Sequence, residues 1–573
     1  MFAKTLWFAV ALPFLSSVLC SSGEEWWQHG VFYQVYPRSF RDVNNDGNGD
    51  LAGVIEKLDH FKDAGVDGVW LSPIMQSPQI DAGYDISDYY KIEDMYGHID
   101  DLKELIKKAH EIGIKIILDF VPNHTSNLHK WFQESENGNE EYKDYYVWAD
   151  AKEDGSPPNN WISVFRGSAW QWSDKRKQYY LHHFVKEQPD LNYRNPKVRE
   201  DMKKILVYYM DIGVDGFRVD AIPYLVEDKE LRDEPRSYNP NVSEEDNDYL
   251  KHIYTNNQPE TYEVIYDWRK LVDDYTANHG GDARILMTEA YADLEHTMPY
   301  YGTPDGSQKG SHFTFNFFFI TNFNKNISTA HDISRIVYMW KNALPSIYTS
   351  NWVLGNHDNR RIPTRLGVEN IDGFNMLVQL LPGIAVTYNG EEFGQEDGEV
   401  TYEQGKDPSA RNRSIFEATS RDFERTPFQW DDTINAGFNE GAEPWLPVSE
   451  KYKKTNLASQ LDEKVLSHYQ IYKALTRKRK EDPTRIGSTD IWAISDDVIV
   501  LKRSHGNKHT VLAFKLGWHD KNEEETVYVP SVGAKGATVA LTNVGSSYKI
   551  GSVINPQNFK LKPHESLVLD IVD

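Results

Sequence analysis

The sequence predicts an α/β protein built on a (β/α)8 barrel, with a subdomain inserted after the third strand and an antiparallel β domain at the C-terminus. Three observations carry this. A phrase made of an amphipathic helix, a Gly and a short apolar run recurs through the first half of the chain; eight such apolar runs occur before residue 393; and short alternating runs gather beyond residue 486.

The elements follow in order. Residues 1–20, "MFAKTLWFAVALPFLSSVLC", place Lys4 before an apolar run and then small residues, which reads as a secretory leader. The run is too short and too proline-interrupted for a membrane span. Cleavage near Cys20 leaves a mature chain without cysteine, so core size, and a metal if one binds, must supply the stability that disulfides give other secreted proteins. Lipid attachment at Cys20 is the rival reading, and Leu19 before it fits that signal poorly. The C-terminal "HESLVLDIVD" carries no apolar tail, so neither a lipid-anchor signal nor a C-terminal span is expected.

The barrel is assigned to residues 24–124 and 194–485. Its first strand is "VFYQVYP" (31–37). "HFKDAGVDGVWLSP" (60–73), "AHEIGIKIILDFVPNH" (109–124) and "YYMDIGVDGFRVDA" (208–221) give strands two to four. In each, Gly stops the helix and the Val/Ile run that follows suits a parallel strand buried on both faces. "ARILMTEA" (283–290), "FTFNFFFI" (313–320), "NWVLGNHD" (351–358) and "GIAVTYNGEE" (383–392) complete the eight. A doubly wound open sheet would need a phosphate-binding Gly-rich turn after the first strand, and none stands there. Residues 125–193, rich in Trp and Asn and containing "GSPPNNW", are too long for a loop and are read as the inserted subdomain. After the helix at 465–481, the runs "VIVLKRS", "HTVLAFKL", "ETVYVPS", "ATVALTN" and "SLVLDIV" form a C-terminal β-sandwich domain, 486–573.

A formal charge of −25 argues against nucleic acid or an anionic membrane as partner. Sixteen Trp and 33 Tyr suit sugar faces, although a large core alone accounts for many aromatic rings. Sequons at Asn241, Asn326 and Asn412 are compatible with secretion, whereas the one at Asn123 stands too close to the expected chemistry to carry a glycan.

Polar residues at the C-terminal ends of barrel strands face the active site. That rule collects Asp119, Asn123 and His124 after strand three, Arg218 and Asp220 after strand four, Glu289 after strand five, and His357 and Asp358 after strand seven. Such carboxylates can bind a divalent metal or cleave a glycosidic bond, which needs one protonated and one ionised carboxyl. Arg218, two residues before Asp220 and on the same side of the strand, favours an ionised Asp220; Glu289, with no basic neighbour in sequence, is the better acid. A single Asp or Glu at a strand end is ordinarily a cap or ion-pair partner, so the weight rests on three arriving together. "RDVNNDGNGDL" (41–51) starts as an EF-hand loop, with Asp42, Asn44, Asp46 and Gly47 in place, but Gly53 stands where the bidentate Glu belongs. A plain polar turn and a calcium loop of another kind both remain open on the residues alone.

"DFVPNH" (119–124), "GFRVDA" (216–221), "TEAY" (288–291) and "GNHD" (355–358) resemble, in order and spacing, the four motifs of glycoside hydrolase family 13, the α-amylase superfamily. "QPDLN" (188–192) resembles a fifth motif of its oligo-1,6-glucosidase and α-glucosidase branch, and the chain looks most like secreted insect maltases. The resemblance implies a retaining, exo-acting α-glucosidase acting on maltose, malto-oligosaccharides or sucrose, with Asp220 as nucleophile, Glu289 as proton donor and Asp358 holding the 2- and 3-hydroxyls. It implies that His124, Arg218 and His357 bind the glucose, that Asp81 and Tyr84 of "DAGYD" (81–85) close its subsite, and that Arg421 of "SRDFERTPFQW" (420–430) pairs with Asp81. Read alone, Arg421 and Arg425 are surface charge in an acidic protein. For the loop it implies a structural Ca2+ on Asp42, Asn44, Asp46, Asp50 and the carbonyl of Asn48, and no cofactor in the chemistry. Rival readings are a sucrose isomerase or transglucosylase and a non-catalytic receptor or transporter-subunit ectodomain. Ile222, two residues after Asp220, is expected to bear on linkage preference, where its branched chain departs from the Thr or Ala of some maltases.

Overall fold

The computed structural model describes residues 24–410, 412–519 and 523–573. The expected leader and Cys20 lie outside them. Eight parallel strands, β1 (Val31–Val35), β2 (Gly68–Leu71), β3 (Lys115–Phe120), β4 (Gly216–Val219), β5 (Ile285–Thr288), β6 (Phe313–Thr314), β7 (Asn351–Val353) and β8 (Ile384–Tyr388), form one sheet in the order β6-β5-β4-β3-β2-β1-β8-β7. Because β1 sits between β2 and β8, the sheet curls round on itself as a barrel must.

The helices end where the Gly punctuation predicts. Gly65 and Gly213 take left-handed backbone (φ 78° and 112°) after helices Leu58–Ala64 and Pro196–Ile212, and β2 and β4 follow within three residues. The barrel interior is packed with rings rather than open: Phe32 of β1 meets Phe313 of β6 at 5.5 Å. Tyr33, one residue on, points outward into the layer of surrounding helices against Phe61.

Strand six is shorter than expected. "FTFNFFFI" is strand only at Phe313–Thr314, and Phe318–Thr321 is a helical turn, opened by Asn316 Oδ1 accepting the Phe318 N–H at 3.2 Å. Among the described residues no ladder joins β6 to β7. The seam is bridged instead by the fully buried amide of Asn351. Its Oδ1 accepts the Asn316 N–H at 2.8 Å, and its Nδ2 donates to Thr314 O at 2.6 Å and Tyr301 Oη at 2.9 Å.

After β3 the chain leaves the barrel for a three-stranded sheet built from Trp148–Ala149, Gln178–Leu181 and Trp170–Ser173. This subdomain also recruits the segment after β4: Trp161 Nε1 donates to Arg232 O at 2.9 Å, and Leu231 and Tyr254 pack on its core. The C-terminal domain has a six-stranded antiparallel sheet and a two-stranded one enclosing an aliphatic core. It is held to the barrel by the wholly buried helix Ile371–Leu380, where Phe374 meets Phe514 at 5.3 Å, edge to face. Among the described residues no helix is long and apolar enough to cross a membrane.

Candidate active site

Register places the central carboxylates. Asp119 of β3 pairs with Arg218 of β4, and Val219 of β4 pairs with Thr288 of β5. The next residues, Asp220 and Glu289, therefore stand side by side, the former fixed by its N–H on Phe120 O and the latter by its N–H on Val219 O, each at 2.9 Å. Ala221 then turns into left-handed backbone (φ 51°), which aims its N–H at Glu289 Oε2, 3.0 Å away.

Arg218 is the shared cation. Its Nη1 donates to Asp119 Oδ1 at 3.0 Å and to Asp220 Oδ1 at 2.5 Å, and its Nη2 meets Glu289 Oε2 at 2.8 Å. This corrects two expectations. Glu289 lacks a basic neighbour only in sequence, and Arg218 does not serve Asp220 alone. Burial raises the Asp220 carboxyl well above the usual range; Arg218 opposes that, while Glu289 and Asp119 add to it. Asp119 is likewise pushed up, to about 6, by burial. Three carboxylates thus share one guanidinium, and burial with mutual repulsion disfavours ionisation of Asp220 and Asp119.

Asp358 lies in the opposite electrostatic setting. Burial would raise it, but the Arg421 and Arg425 guanidiniums hold it well below the carboxylate range. Arg425 donates through Nη2 to Asp358 Oδ1 and through Nε to His357 O, both at 2.7 Å. Only 1% of Arg425 is exposed, so the surface-charge reading fails for it. His357 is kept neutral by burial; its Nδ1 accepts from Gln34 Nε2 at 2.7 Å, leaving Nε2–H toward the cavity, 3.4 Å from Asp358 Oδ2. The ring of Tyr84 lies parallel to His357 at 5.2 Å, so one Tyr84 face is covered and the other is left for the cavity.

A cavity of about 280 Å3 is lined by Asp220, Glu289, Asp358, His124, Tyr84 and His357. One end is shut. Arg421 Nη2 donates to Asp81 Oδ1 at 2.8 Å, Gln188 Nε2 donates to Asp81 Oδ2 at 3.1 Å, and His124 Nε2–H donates to Tyr84 O at 3.0 Å. Arg421 also reaches Asp358 Oδ1 at 3.1 Å, and it is oriented by Asp407, which its backbone N–H, Nε and Nη2 all engage. Phe165 and Phe184 of the inserted subdomain and Tyr291 complete the wall.

Several of these residues are absent from the sequence reading. Arg425 and Gln188 lie inside motifs already singled out, so only their direction was missing; Asp407, in an irregular stretch, gives no sequence signal. Ile222 is a correction. It is fully buried in the core beneath the site, and Ala221 is the residue after the nucleophile that lines the cavity.

A barrel whose strand ends converge on paired carboxylates in a one-ended pocket defines a catalytic domain of the α-amylase class, and the chain belongs to that family: residues 34–487 match the description "Alpha amylase, catalytic domain". Among characterised proteins it is similar to Maltase A1 of Drosophila melanogaster, 47% identical over 561 residues that cover 95% of this chain and 96% of that one. It is also similar to the salivary alpha-glucosidase of Anopheles gambiae, 45% identical over 557 residues, 95% and 93% of the two chains. Among solved structures, an alpha-glucosyl transfer enzyme superposes with a TM-score of 0.84 at 33% identity, covering 96% of this chain and all of the other.

Proposed function

We propose that the protein is a retaining, exo-acting α-glucosidase that removes terminal glucose from maltose, short malto-oligosaccharides or sucrose. The observation that carries this is the Asp220/Glu289 pair, held on the two Nη atoms of Arg218 at 2.5 and 2.8 Å, in a pocket shut by Asp81 and Arg421. Two carboxyls held by the two Nη atoms of one guanidinium suit attack by one and proton transfer by the other, as the covalent route requires.

A terminal glucose enters the closed end, its outer hydroxyls toward Asp81 and Arg421 and its 2- and 3-hydroxyls toward Asp358 and the His357 Nε2–H. Asp220 attacks the anomeric carbon as the bond to the leaving oxygen breaks, and Glu289 gives that oxygen its proton. Arg218, bound to both carboxylates, holds the negative charge that then resides on Glu289. Water enters, loses a proton to Glu289 and attacks the glucosyl-Asp220 ester, releasing α-glucose and restoring both carboxyls. A sugar hydroxyl in place of that water gives transfer instead of hydrolysis. All three carboxylates are in place, which weighs against a purely non-catalytic ectodomain.

Loop 42–50 is read as a calcium site. Among the described residues no three Asp, Glu, His or Cys side chains form a ready metal cluster, because Asp42 and Asp50 turn toward backbone N–H groups. The donor set nevertheless fits a hard cation: Asp42, Asp46 and Asp50 crowd one loop with no Lys or Arg within ion-pair distance among the described residues, and burial raises Asp50. Asp42, Asn44, Asp46, Asp50 and the Asn48 carbonyl would hold it, as a structural ion. The leader-like N-terminus and the exposed Asn241, Asn326 and Asn412 support secretion with N-glycans at those positions, whereas Asn123 is fully buried.

The test is glucose release from maltose, isomaltose and sucrose by wild type beside Asp220→Asn. Wild-type turnover that is lost in the variant is expected; equal rates would sink the mechanism.

A further inference from the structure

A chain of side-chain hydrogen bonds runs from the inserted subdomain to the closed end of the pocket. It starts at His183, a buried residue two positions beyond the strand Gln178–Leu181, whose backbone is fixed by its carbonyl accepting the Val164 N–H at 2.7 Å. His183 Nδ1 donates to Oδ2 of Asp190, which is itself buried. Asp190 Oδ1 accepts from Asn123 Nδ2 at 3.2 Å, and the same amide gives its other hydrogen to His124 Nδ1, also at 3.2 Å. With Nδ1 accepting, the His124 ring keeps its Nε2–H, the donor to Tyr84 O. The chain thus ends on His124 and Tyr84, two residues that line the cavity at its glucose end.

The far nitrogen of the His183 ring shows what the link is for. Nε2 is buried without a hydrogen-bond partner among the described residues, so the ring makes a single hydrogen bond and carries an unmet polar atom. An aliphatic side chain would fill the same place at less cost. What it could not supply is a donor for Asp190 Oδ2, which has no other among the described residues. We propose that His183 is a positioning residue that, through Asp190 and Asn123, sets the direction of His124 and Tyr84 toward the glucose held in the pocket. This rests on the α-glucosidase reading above. Because the residues it aims face the glucose and not the group that departs, its effect is the same whatever the leaving group. The ring also meets Tyr224, another wall residue, at 5.0 Å and 44°, a contact that the hydrogen-bond chain does not need.

The experiment measures kcat/KM on maltose and on α-D-glucosyl fluoride, which share the glucose and differ in what leaves, at a temperature below every thermal transition. His183→Leu, close to His in volume and without a donor, should lose roughly 10-fold on both substrates, the rate equivalent of one hydrogen bond to a charged group. His183→Asn, whose amide can stand where Nδ1 stood, should stay within about threefold of wild type. In a His124→Ala background the further change His183→Leu should cost no more than about twofold, because the chain then has no imidazole to aim. Losses from His124→Ala and His183→Leu that multiply in full would overturn the proposal, since a general loosening of the fold acts in that way. So would a His183→Asn loss equal to that of His183→Leu, which would place the effect in the ring's contact with Tyr224, or losses that differ between the two substrates. Should His183→Leu not fold, Asp190→Asn, which keeps the shape and gives up the charge on the same link, runs the same cycle against His124→Ala with the same criteria. Failure of wild type on both substrates would instead overturn the glucosidase reading.

Discussion

Truncating Asp407 should disable the closed end of the pocket without touching a group assigned to the chemistry. Asp407 Oδ2 accepts the Arg421 backbone N–H at 2.6 Å and Nε at 3.0 Å, and Oδ1 accepts Nη2 at 2.7 Å. Its side chain is fully buried, and Arg421 holds the carboxyl well below the usual range against the effect of burial. Breaking a buried pair costs about 3–5 kcal/mol; because Arg421 keeps Asp81 and Asp358, the lower end, about 3 kcal/mol, is expected for Asp407→Ala. If about 2 kcal/mol of that is lost from the geometry that aims the guanidinium at Asp81 and Asp358, kcat/KM for maltose falls roughly 30-fold. Asp407→Asn keeps the shape and loses the charge, and should fall roughly 5-fold. Steady-state rates on maltose and maltotriose, with thermal melts alongside, measure this. An Asp407→Ala enzyme within twofold of wild type that melts at the same temperature would refute the view that Asp407 sets the direction of Arg421.

Three other perturbations have defined outcomes. Glu391 is buried, with one oxygen on the Tyr388 N–H at 3.0 Å and the other without a protein partner, and burial pushes it from 4.5 up to about 8. A raised folded value means its contribution is whole below about 4.5 and is lost as pH rises through 8. Glu391→Gln should therefore gain in melting temperature on wild type between pH ~5 and pH ~8.5, and a calorimetric difference that stays flat would count against this. Asn351→Leu leaves the Asn316 N–H and Thr314 O facing an apolar side chain and should cost about 2–4 kcal/mol, read as an earlier thermal transition; an unchanged transition would show that the seam needs no amide. Removing divalent cations with a chelator should lower the melting temperature before initial rates change, and an immediate, reversible loss of rate without any change in melting would move the ion into the chemistry.

How far the sequence could be read depends on which forces were local. The Gly-stopped helices and doubly apolar strands are local, and they announced the barrel. Parallel register then turns sequence position into geometry, which is why Asp119, Asp220 and Glu289 could be placed together from strand ends alone. "FTFNFFFI" misled because its strand-like alternation at 313–317 runs on into an apolar stretch with no period to separate strand from helix; the decision lay with one Asn side chain. The sharing of Arg218 was not legible because the carboxylates that join Asp220 on it come from β3 and β5, distant in sequence. Ile222 was expected from the family resemblance to bear on linkage preference, whereas after the left-handed Ala221 it lies in the core. Arg425 and Asp407 look like charges on an acidic surface until tertiary structure buries them.

The amide of Asn351 makes the barrel a hoop with a buckle. Among the described residues seven of its eight joints are backbone ladders, which any non-proline residue can zip. The eighth is bridged by one side-chain amide, whose Oδ1 accepts from the Asn316 N–H and whose Nδ2 donates to Thr314 O, so its polar link depends on a single residue. Asp at this position would keep the size and the acceptor yet set a carboxylate oxygen against Thr314 O. In a barrel otherwise joined by chemistry common to all residues, this is where the hoop can be undone.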